Sequence, residues 1–249
     1  MREKIVAIIG ITLCIYLVSF NGGVYAADTL TIVTCECPPL SYTLDGALTG
    51  PAVEITRRIQ HLIESHDEIL VQPWARGYKL VQKTPNVVLF SMTRTAERDT
   101  LFKWVGPFAE KRFAFHAKKG SSIQLSTLED AQQYSIGVMR GSNNEEFLRT
   151  NGFTNIENVT VEEQNVKKLL SGKIDLWYTD TAMSSMMEAD VTDVYTTQTS
   201  QSYYAFNSAA PDSTVDAWQT ALETLHNEGA ILEILQQYNL EALYPTVKD

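Results

Sequence analysis

The sequence predicts an α/β fold made of two lobes, each a mostly parallel sheet flanked by helices. Three observations predict it: short apolar runs alternate with amphipathic stretches, the alternation occurs in two series near residues 28–112 and 120–195, and the chain ends in helices. With 249 residues and 44% hydrophobic content, the chain can bury a sizeable core. Residues 113–119 and 201–206 are typical of extended crossings between the lobes.

The first residues have the pattern of an export signal. Arg2 and Lys4 precede an apolar stretch over residues 5–20, and Val24-Tyr25-Ala26 offers small residues at the offsets that cleavage requires. We expect residues 1–26 to be a signal peptide, cleaved near Ala26, that directs the chain to the periplasm. The alternative is an uncleaved anchor helix, but the apolar stretch is shorter than the roughly 20 residues that a span needs.

The first series contains the clearest helix of the sequence. Pro51 follows Gly50, a position typical of a first helical turn. Apolar residues then recur at helical spacing along one face, namely Ala52, Ile55, Ile59, Leu62 and Ile63. The series predicts strands over residues 30–33, 69–71 and 87–90, and helices over residues 51–65, 76–83 and 97–102.

The second series carries two capping boxes, in which a hydroxyl and a carboxylate three residues later each bond a free backbone N–H. They are Ser126-Thr127-Leu128-Glu129 and Thr160-Val161-Glu162-Glu163, and each predicts the start of a helix. Between them we expect a strand over residues 134–139, a turn at Gly141-Ser142 and a helix through Phe147. After the second box we expect a helix to Leu170 and a strand over residues 174–178, with Asp180 just past its end.

The end of the chain is predicted to be helical. Apolar residues lie in helical register between Val215 and Tyr238, and Gly229 interrupts the pattern. These residues are Trp218, Ala221, Leu222, Leu225, Ile231 and Ile234.

Composition and motifs exclude several classes of function. The formal net charge of −10 and a pI near 4.9 argue against nucleic acid or an anionic membrane surface as a partner. The four histidines are scattered, without a partner at metal-site or catalytic-triad spacing. The chain also lacks the G-x-S-x-G, H-E-x-x-H, P-loop and dinucleotide-binding glycine patterns. We therefore expect no metal, no cofactor and no enzymatic activity.

The exported chain contains two cysteines, Cys35 and Cys37, in a C-x-C pair on a predicted strand. On one strand their Cα atoms would lie near the roughly 6.8 Å upper limit for a disulfide, so such a bond would be strained. A soft-metal site needs further ligands nearby. The pattern favours two separate small residues of the core or of a cleft.

Hydrogen-bond donors cluster where the predicted strand over residues 87–90 ends. Ser91 and Thr93 can donate hydroxyl hydrogens, and Arg98 can offer two parallel N–H bonds to a carboxylate. Open α/β sheets bind ligands beyond the carboxyl ends of their strands, so this cluster predicts an anion site. The alternative is that Arg98 pairs with Glu97 or Asp99 on a solvated helix surface.

A series of short segments resembles one protein family. The segments are Pro38-Pro39-Leu40-Ser41-Tyr42, Leu48-Thr49-Gly50, residues 91–98, 104–108, 128–130, 136–138, 141–142 and 170–175, then Asp180 and Gly229. In this order and spacing they resemble the bacterial extracellular solute-binding proteins of family 3, the polar amino-acid receptors of ABC transporters. The resemblance covers nearly the whole chain after the signal. It implies the type II periplasmic binding fold, with one lobe over residues 27–114 plus 203–249, the other over residues 115–202, and a ligand cleft between them.

The resemblance also implies a clamp that holds a zwitterion by its two charges. Arg98 matches the arginine that grips the carboxylate of an amino acid, and Asp180 matches the acid that receives the α-ammonium group. The family residues that assist this arginine correspond to Ser91, Thr93, Ser142 and Asn143, which offer hydroxyl, amide or backbone groups.

Two further segments bear on the ligand. Cys37 stands where many members of the family carry an aromatic residue, which removes a ring platform from the side-chain pocket, and Tyr42 of the same segment is placed among the ligand-binding residues. Residues 73–78 resemble a Pro-Trp-x-Arg element found in a subset of the family, so Trp74 and Arg76 are added to the site. The alternative for them is a tryptophan packed inside its lobe and a surface arginine.

These features predict a monomeric periplasmic receptor. It captures an amino acid or a similar small zwitterion or carboxylate for the membrane permease of an ABC transporter. The alternatives are a ligand sensor that acts on a membrane signalling partner, and a dehydratase-like enzyme on the same scaffold.

Overall fold

The computed structural model describes residues 29–187 and 190–245, so the predicted signal peptide lies outside the described residues. Its strands are β1 (Thr31–Thr34), β2 (Tyr42–Leu44), β3 (Ala47–Thr49), β4 (Ile69–Val71), β5 (Val87–Thr93), β6 (Phe102–Lys118), β7 (Ile136–Met139), β8 (Ile156–Val159), β9 (Leu176–Asp180) and β10 (Val191–Asn207). Its α-helices are α1 (Pro51–Leu62), α2 (Trp74–Lys83), α3 (Asn143–Thr150), α4 (Glu162–Leu170), α5 (Thr181–Met186), α6 (Asp212–Asn227) and α7 (Ala230–Gln237). The predicted α/β fold class is confirmed.

Eight strands form one sheet in the order β4-β1-β5-β10-β6-β9-β7-β8, while β2 and β3 form a separate hairpin. Parallel pairs lie at both ends, because β1 pairs in parallel with β4 and β5, and β7 pairs in parallel with β8 and β9. We call β1, β4 and β5 with α1, α2, α6, α7 and the segment between β5 and β6 the β1 half. The β7 half contains β7, β8 and β9 with α3, α4 and α5.

The two halves are joined by β6 and β10, which are 17 residues long and pair antiparallel with each other. The pairing runs from Val191 opposite Lys118 to Asn207 opposite Phe102. Residues 113–119 and 201–206, the predicted extended crossings, lie almost entirely within these strands. The residue limits given above for two lobes stay a prediction.

Local sequence explains why α1 begins and ends where it does. Gly50 has φ 114°, and a Cβ at this position would lie 2.5 Å from the carbonyl oxygen of Leu40, so the turn before Pro51 requires glycine. The helix ends at Leu62, before the predicted residue 65, because Glu64 adopts a left-handed φ of 55°. The N–H of Ser65 then bonds the carbonyl of Gln60 and closes the helix end.

Besides α2, which begins at Trp74 rather than at residue 76, three predicted helix starts differ from the structure. Residues 97–102 do not form a helix: a 3₁₀ turn covers Asp99–Leu101 and β6 begins at once. The box at residues 126–129 is displaced by one residue, because the carboxylate of Asp130 accepts the N–H groups of Ser126 and Thr127 above a 3₁₀ turn.

The third difference is at α4. The box at residues 160–163 does not form, since Val161 is the N-cap and has no side-chain hydrogen bond. Glu162 turns inward instead and is 2% exposed. Burial against neighbouring strands therefore overrides the local capping motif at this position.

The predicted C-terminal helices are confirmed. The chain forms α6 and α7, and Gly229 between them has the left-handed φ of 75° that glycine favours. Trp218 of α6 is fully buried and packs edge-to-face on Tyr204 and Phe206 of β10. In the ranges that the structure describes, no helix combines the length and the apolar character that a membrane span requires.

Candidate functional site

A cavity of about 40 Å³ lies between the two halves. Residues of the β1 half form one side, and residues of the β7 half and of β6 form the other. The lining residues are Cys37, Pro38, Trp74, Ser91, Lys111, Phe113, Met139, Ser142, Asn143, Asn144, Glu162, Thr179, Asp180 and Met183. We call this space the central cavity.

Two contacts connect the halves beside the central cavity. The indole Nε1 of Trp74 in α2 donates to the carbonyl oxygen of Gly141 at 2.8 Å, just before α3. The Nη2 of Arg98 lies 2.8 Å from the carboxylate of Glu146 in α3. Both contacts link the β1 half to one end of α3, so they hold the cavity walls together.

Arg98 is buried, and part of its guanidinium group has no hydrogen-bond partner within the described residues. Its side chain is 3% exposed, and its guanidinium lies over the ring of Tyr78 with a distance of 5.0 Å to the ring centroid. Its Nε and Nη1 have no hydrogen-bond partner within the described part of the chain. The interpretation of Arg98 as a surface arginine paired with Glu97 or Asp99 is therefore wrong. Asp99 pairs with Arg94 instead, at 2.6 Å.

Ser91 occupies an unusual backbone position at the edge of the central cavity. It has φ 67°, a left-handed conformation that is uncommon for residues other than glycine and costs about 1–3 kcal/mol. Its side chain is buried, and its Oγ has no hydrogen-bond partner among the described residues. This conformation directs a hydroxyl group towards the cavity.

Asp180 and Lys111 bring opposite charges to the central cavity. Asp180, at the end of β9, is the N-cap of α5, and its Oδ1 accepts the backbone N–H of Met183 at 2.8 Å. Burial raises the pKa of the Asp180 carboxyl, and Lys111 and the N–H of Met183 act against that rise. Burial lowers the pKa of the Lys111 ammonium, and Asp180 and then Glu162 oppose this.

Glu162 is a second carboxyl group on the cavity wall. Its Oε2 accepts two hydrogen bonds, from Nδ2 of Asn165 at 2.7 Å and from the indole Nε1 of Trp177 at 2.9 Å. Burial raises the pKa of Glu162 to about 7, because neither neutral donor fully offsets the loss of water. Glu162 therefore changes charge near neutral pH.

The start of α3 adds polar groups to the same wall. The Oγ of Ser142 accepts the N–H of Glu145 at 3.3 Å and so caps the helix. Asn144 donates through Nδ2 to the carbonyl of Tyr178 at 3.2 Å. Within the described residues, Nδ2 of Asn143 and Oδ1 of Asn144 have no partner.

The two cysteines form a disulfide bond at the edge of the cavity. The interpretation of Cys35 and Cys37 as separate small residues is wrong, because it assumed that both lie on one straight strand. In the structure β1 ends at Thr34 and the chain bends at Glu36, which brings the two Cα atoms within 5.2 Å. This separation is within the ordinary range for a disulfide.

The described ranges contain no group of three or more His, Cys, Asp or Glu side chains placed to hold a metal ion. The cavity chemistry is that of hydrogen-bond donors and carboxylates, which suits a small polar ligand.

Comparison with known proteins identifies the family. The family model of the bacterial extracellular solute-binding proteins, family 3, matches residues 30–241. The chain belongs to this family. The predicted resemblance is thus confirmed over nearly the whole described chain.

One similar protein is the L-cystine-binding protein TcyJ of Escherichia coli strain K12. It is 28% identical to this chain over 116 residues, which make up 46% of this chain and 44% of that protein. The same protein from Escherichia coli O6:H1 matches equally. The match thus spans less than half the length of these relatives.

Solved structures show the same fold. An ancestral arginine-binding protein bound to arginine has a TM-score of 0.76 at 22% identity, covering 84% of this chain and 97% of that one. A histidine kinase sensor domain with similarity to periplasmic binding proteins has a TM-score of 0.79 at 16% identity, covering 87% and 98%. An ancestral amino acid-binding protein, a precursor of cyclohexadienyl dehydratase, has a TM-score of 0.75 at 16% identity, covering 84% and 94%. The type II periplasmic binding fold is confirmed by these likenesses.

In this solute-binding protein, five of the nine expected ligand-binding residues line the central cavity: Trp74, Ser91, Ser142, Asn143 and Asp180. Thr93 lines a neighbouring pocket of about 320 Å³, whose wall also includes Asn143 and Glu146. Arg98 lies buried beside that pocket, since it is bonded to Glu146. Asn143 lines both spaces and so separates them.

The other two expected residues lie elsewhere in the solute-binding fold. Tyr42, on the β2–β3 hairpin, lines two other surface pockets, one with Arg112 and one with Glu163. Arg76 is exposed on α2, and its Nη1 lies 3.4 Å from Oε1 of Gln72. The structure does not bring either residue to the central cavity.

Lys111 and Glu162 of the central cavity were not found by sequence reasoning. Glu162 fits a capping box, which gives it a sufficient local explanation. Lys111 lies in the Glu-Lys-Arg run before Phe113, where a charged run is typical of a solvated strand edge. Only the antiparallel pairing of β6 with β9 and β10 turns Lys111 towards Asp180.

Proposed function

We propose that this protein is a periplasmic receptor that binds an amino acid, or a similar small zwitterion or carboxylate, between its two halves. It delivers the ligand to the permease of an ABC transporter. The observation that carries the proposal is a set of buried polar atoms between the halves that lack partners in the described residues: Nε and Nη1 of Arg98, Oγ of Ser91, Nδ2 of Asn143 and Oδ1 of Asn144. Buried polar groups are nearly always hydrogen-bonded in native proteins, so these atoms favour a polar ligand.

In this proposal the ligand is held by its two charges. Arg98 receives the carboxylate, assisted by Ser91 and Thr93 from β5 and by the start of α3 at Ser142 and Asn143. Asp180 receives the α-ammonium group through the carboxylate oxygen that does not cap α5. A ligand that contacts both halves makes more contacts when they are close together, so binding favours the closed arrangement.

Glu146 has a defined place in this scheme. Its carboxylate already bonds Nη2 of Arg98, which leaves Nε and Nη1 for the ligand. The ligand carboxylate either uses those two nitrogens or displaces Glu146 from the guanidinium. In both cases the two charged anchors belong to opposite lobes under the predicted division into residues 27–114 plus 203–249 and residues 115–202.

The decisive experiment is a binding screen with the purified protein, refolded from denaturant to release small molecules that copurify. The twenty amino acids and L-cystine, the latter suggested by the similar cystine-binding protein, are tested by thermal shift and then by calorimetry. We expect saturable binding of at least one of them. The proposal fails if no amino acid and no related small carboxylate gives a thermal shift or a heat of binding.

The transport role is tested separately from binding. Deletion of the gene should abolish uptake of the radiolabelled ligand found in the screen. If uptake is unchanged while a ligand-dependent transcriptional response is lost, the protein acts as a sensor for a membrane signalling partner instead.

One observation favours a second candidate function, an enzyme on this scaffold. Glu162, with a pKa of about 7, and Lys111, with a lowered pKa, are groups of the type that proton transfer requires. The test is incubation of the protein with each ligand found in the screen and analysis by nuclear magnetic resonance. A receptor returns the ligand unchanged, whereas an enzyme yields a product that the Glu162→Gln variant does not form.

A further inference from the structure

We propose that Lys111 and Glu162 read the side chain of the ligand, and that they select a distal group that both donates and accepts hydrogen bonds. A terminal carboxamide and a second amino-acid head group share this chemistry. The inference rests on the proposed function, because it assigns a class of ligand to the same cavity.

The first argument is the placement of the two charges. Lys111 on β6 and Glu162 at the start of α4 line the central cavity together with Asp180. Among the residues that the structure describes, neither Lys111 nor Glu162 has an oppositely charged atom within ion-pair distance. Their attraction therefore acts across the cavity. Two opposite charges that face one space without touching leave room for a polar group that bonds to both.

The second argument is the support behind Glu162. Asn165 and Trp177 both bond Oε2, so Oε1 is the oxygen available to a ligand. Asn165 is fully buried, and Gly137 on β7 makes room for it, because a Cβ on Gly137 would lie 2.5 Å from Oδ1 of Asn165. The carboxyl group is thus held in place by packed residues, as a recognition group must be.

The third argument is that the burial of Glu162 is unfavourable for its charged form, because its two hydrogen-bond donors, Asn165 and Trp177, are neutral. A glutamate in the first turn of a helix ordinarily faces water, where it interacts favourably with the free N–H groups. Glu162 is instead buried, and burial raises its pKa to about 7. A buried carboxyl group without a contacting cation opposes folding, whereas an N–H group of a ligand would make the same position favourable.

A fourth and independent observation comes from other residues of the cavity wall. Ser91 and Asn144 are both 5% exposed, and Oγ of Ser91 and Oδ1 of Asn144 have no hydrogen-bond partner in the described ranges. These atoms belong to both sides of the cavity and carry no charge. They are suited to a ligand with many polar atoms and no excess charge.

The selectivity follows from charge. A basic ligand side chain meets the like charge of Lys111, and an acidic one meets the like charge of Glu162. Like charges in a site that excludes water are strongly unfavourable. A carboxamide can accept a bond from Lys111 and donate one to Glu162, and a second head group can do the same with its carboxylate and ammonium groups.

The test is a matched panel of ligands measured by calorimetry at pH 8. Glutamine and asparagine represent the carboxamide, and L-cystine and meso-diaminopimelate represent the second head group. The side chains of glutamate, lysine and arginine carry a single charge, and the side chain of methionine carries none. We expect at least one dipolar ligand to bind about tenfold or more tightly than every single-charge ligand, and the better of the two dipolar groups identifies the natural class.

Two variants locate the selectivity at these residues. Lys111→Met should improve the binding of lysine and arginine relative to the best dipolar ligand by about tenfold, and Glu162→Gln should do so for glutamate. Glutamine at residue 162 keeps an acceptor oxygen for Asn165 and Trp177. The matched controls, Lys79→Met on the exposed face of α2 and Glu163→Gln beside Glu162, should leave the order of affinities unchanged.

The possible outcomes separate the two proposals. If the wild-type protein binds none of the panel, the proposed function and this inference are both overturned. If it binds amino acids but prefers a single-charge side chain, the inference alone is overturned. It is also overturned if Lys111→Met and Glu162→Gln change all affinities by the same factor, because both residues then act only on the structure.

Discussion

The two halves of the molecule bring different chemistry to the central cavity. The β1 half supplies the hydroxyl of Ser91 to the cavity, and the guanidinium of Arg98 lies buried beside it, bonded to Glu146. The β7 half supplies the carboxyl groups of Asp180 and Glu162, and Lys111 lies between the halves on β6. A zwitterion placed between them therefore has a preferred orientation, with its anionic end towards the β1 half.

The cores of the halves differ in the same sense. The largest apolar cluster lies in the β1 half. It contains residues of α1, α6 and α7, together with Val88 and Phe90 of β5 and Tyr204 and Phe206 of β10. Both buried carboxylic acids of the described residues, Glu162 and Asp180, lie in the β7 half. The β1 half is thus stabilised mainly by apolar burial, whereas the stability of the β7 half also depends on ionisation.

The largest expected effect tests the apolar core of the β1 half. Phe206 of β10 is fully buried and packs on Trp218 at a centroid distance of 5.4 Å. Phe206→Ala should lower the free energy of unfolding by about 3–5 kcal/mol, because it removes a large apolar contact and leaves a cavity. Urea unfolding at pH 5 and at pH 8 should give the same loss. A loss that differs between the two pH values would contradict the contrast between the halves.

The next effect concerns the two charged anchors. Arg98→Ala and Asp180→Asn should each weaken binding of the ligand found in the screen by roughly 2–5 kcal/mol, because each leaves one ligand charge unpaired. Asparagine is chosen at residue 180 because it can still cap α5. Calorimetry measures the affinities, and Arg57→Ala, an exposed arginine of α1, is the control. An anchor variant that binds as tightly as the wild type shows that its residue is misassigned.

Glu162 should make the stability of the β7 half depend on pH. Its pKa is raised from 4.5 to about 7, so between these values the folded chain keeps a proton that the unfolded chain has released. Glu162 therefore lowers the free energy of unfolding as pH rises through this range. Glu162→Gln does not titrate, so it should be more stable than the wild type by about 3 kcal/mol above pH 7.

The measurement is denaturant unfolding of both proteins from pH 4.5 to pH 8.5 without ligand. The difference between them should be small near pH 4.5, increase up to about pH 7 and then stay constant. A difference that does not vary with pH shows that Glu162 acts through packing alone. The control is Glu163→Gln, which changes an exposed residue next to Glu162. Its difference in unfolding free energy from the wild type should not follow this pH dependence.

The smallest expected effect concerns Glu146. It is partly exposed and bonds Nη2 of Arg98, so it competes with a ligand carboxylate for the guanidinium. Glu146→Gln should tighten binding of the ligand by about 1 kcal/mol, a value kept low because water already screens this carboxylate. Weaker binding by the variant would show instead that the Arg98–Glu146 pair supports the bound state.

The elements of the fold could be predicted wherever one local pattern determined them. The spacing of apolar residues predicted α1, and the Gly141-Ser142 turn before α3 followed from its residue types. Both features depend on short-range geometry and on a single buried face. The same reasoning gave a helix at residues 97–102, where a 3₁₀ turn forms, because a short amphipathic run does not specify how the next strand pairs.

The site was predictable in part, because a resemblance preserves the order of residues but not their contacts. The resemblance identified Ser91, Asn143 and Asp180, which line one cavity. No sequence pattern distinguished Lys111 and Glu162, which line the same cavity, from charged residues on the surface. The disulfide was missed because the chain bends at Glu36, and this bend brings the two Cα atoms closer together than they would be on a straight strand. Such features depend on tertiary packing, which no local pattern contains.

The long antiparallel strands β6 and β10 determine how the halves can move. Hydrogen-bonded strands can bend and twist together, but they cannot slide past each other without breaking many bonds at once. Their pairing is irregular between Thr196 and Thr199, opposite Ala114 and Arg112, and Ser200 then pairs with Lys111. Any bending at this irregularity moves the ammonium group of Lys111 relative to Asp180, so occupation of the cavity and the angle between the halves are mechanically coupled through one strand.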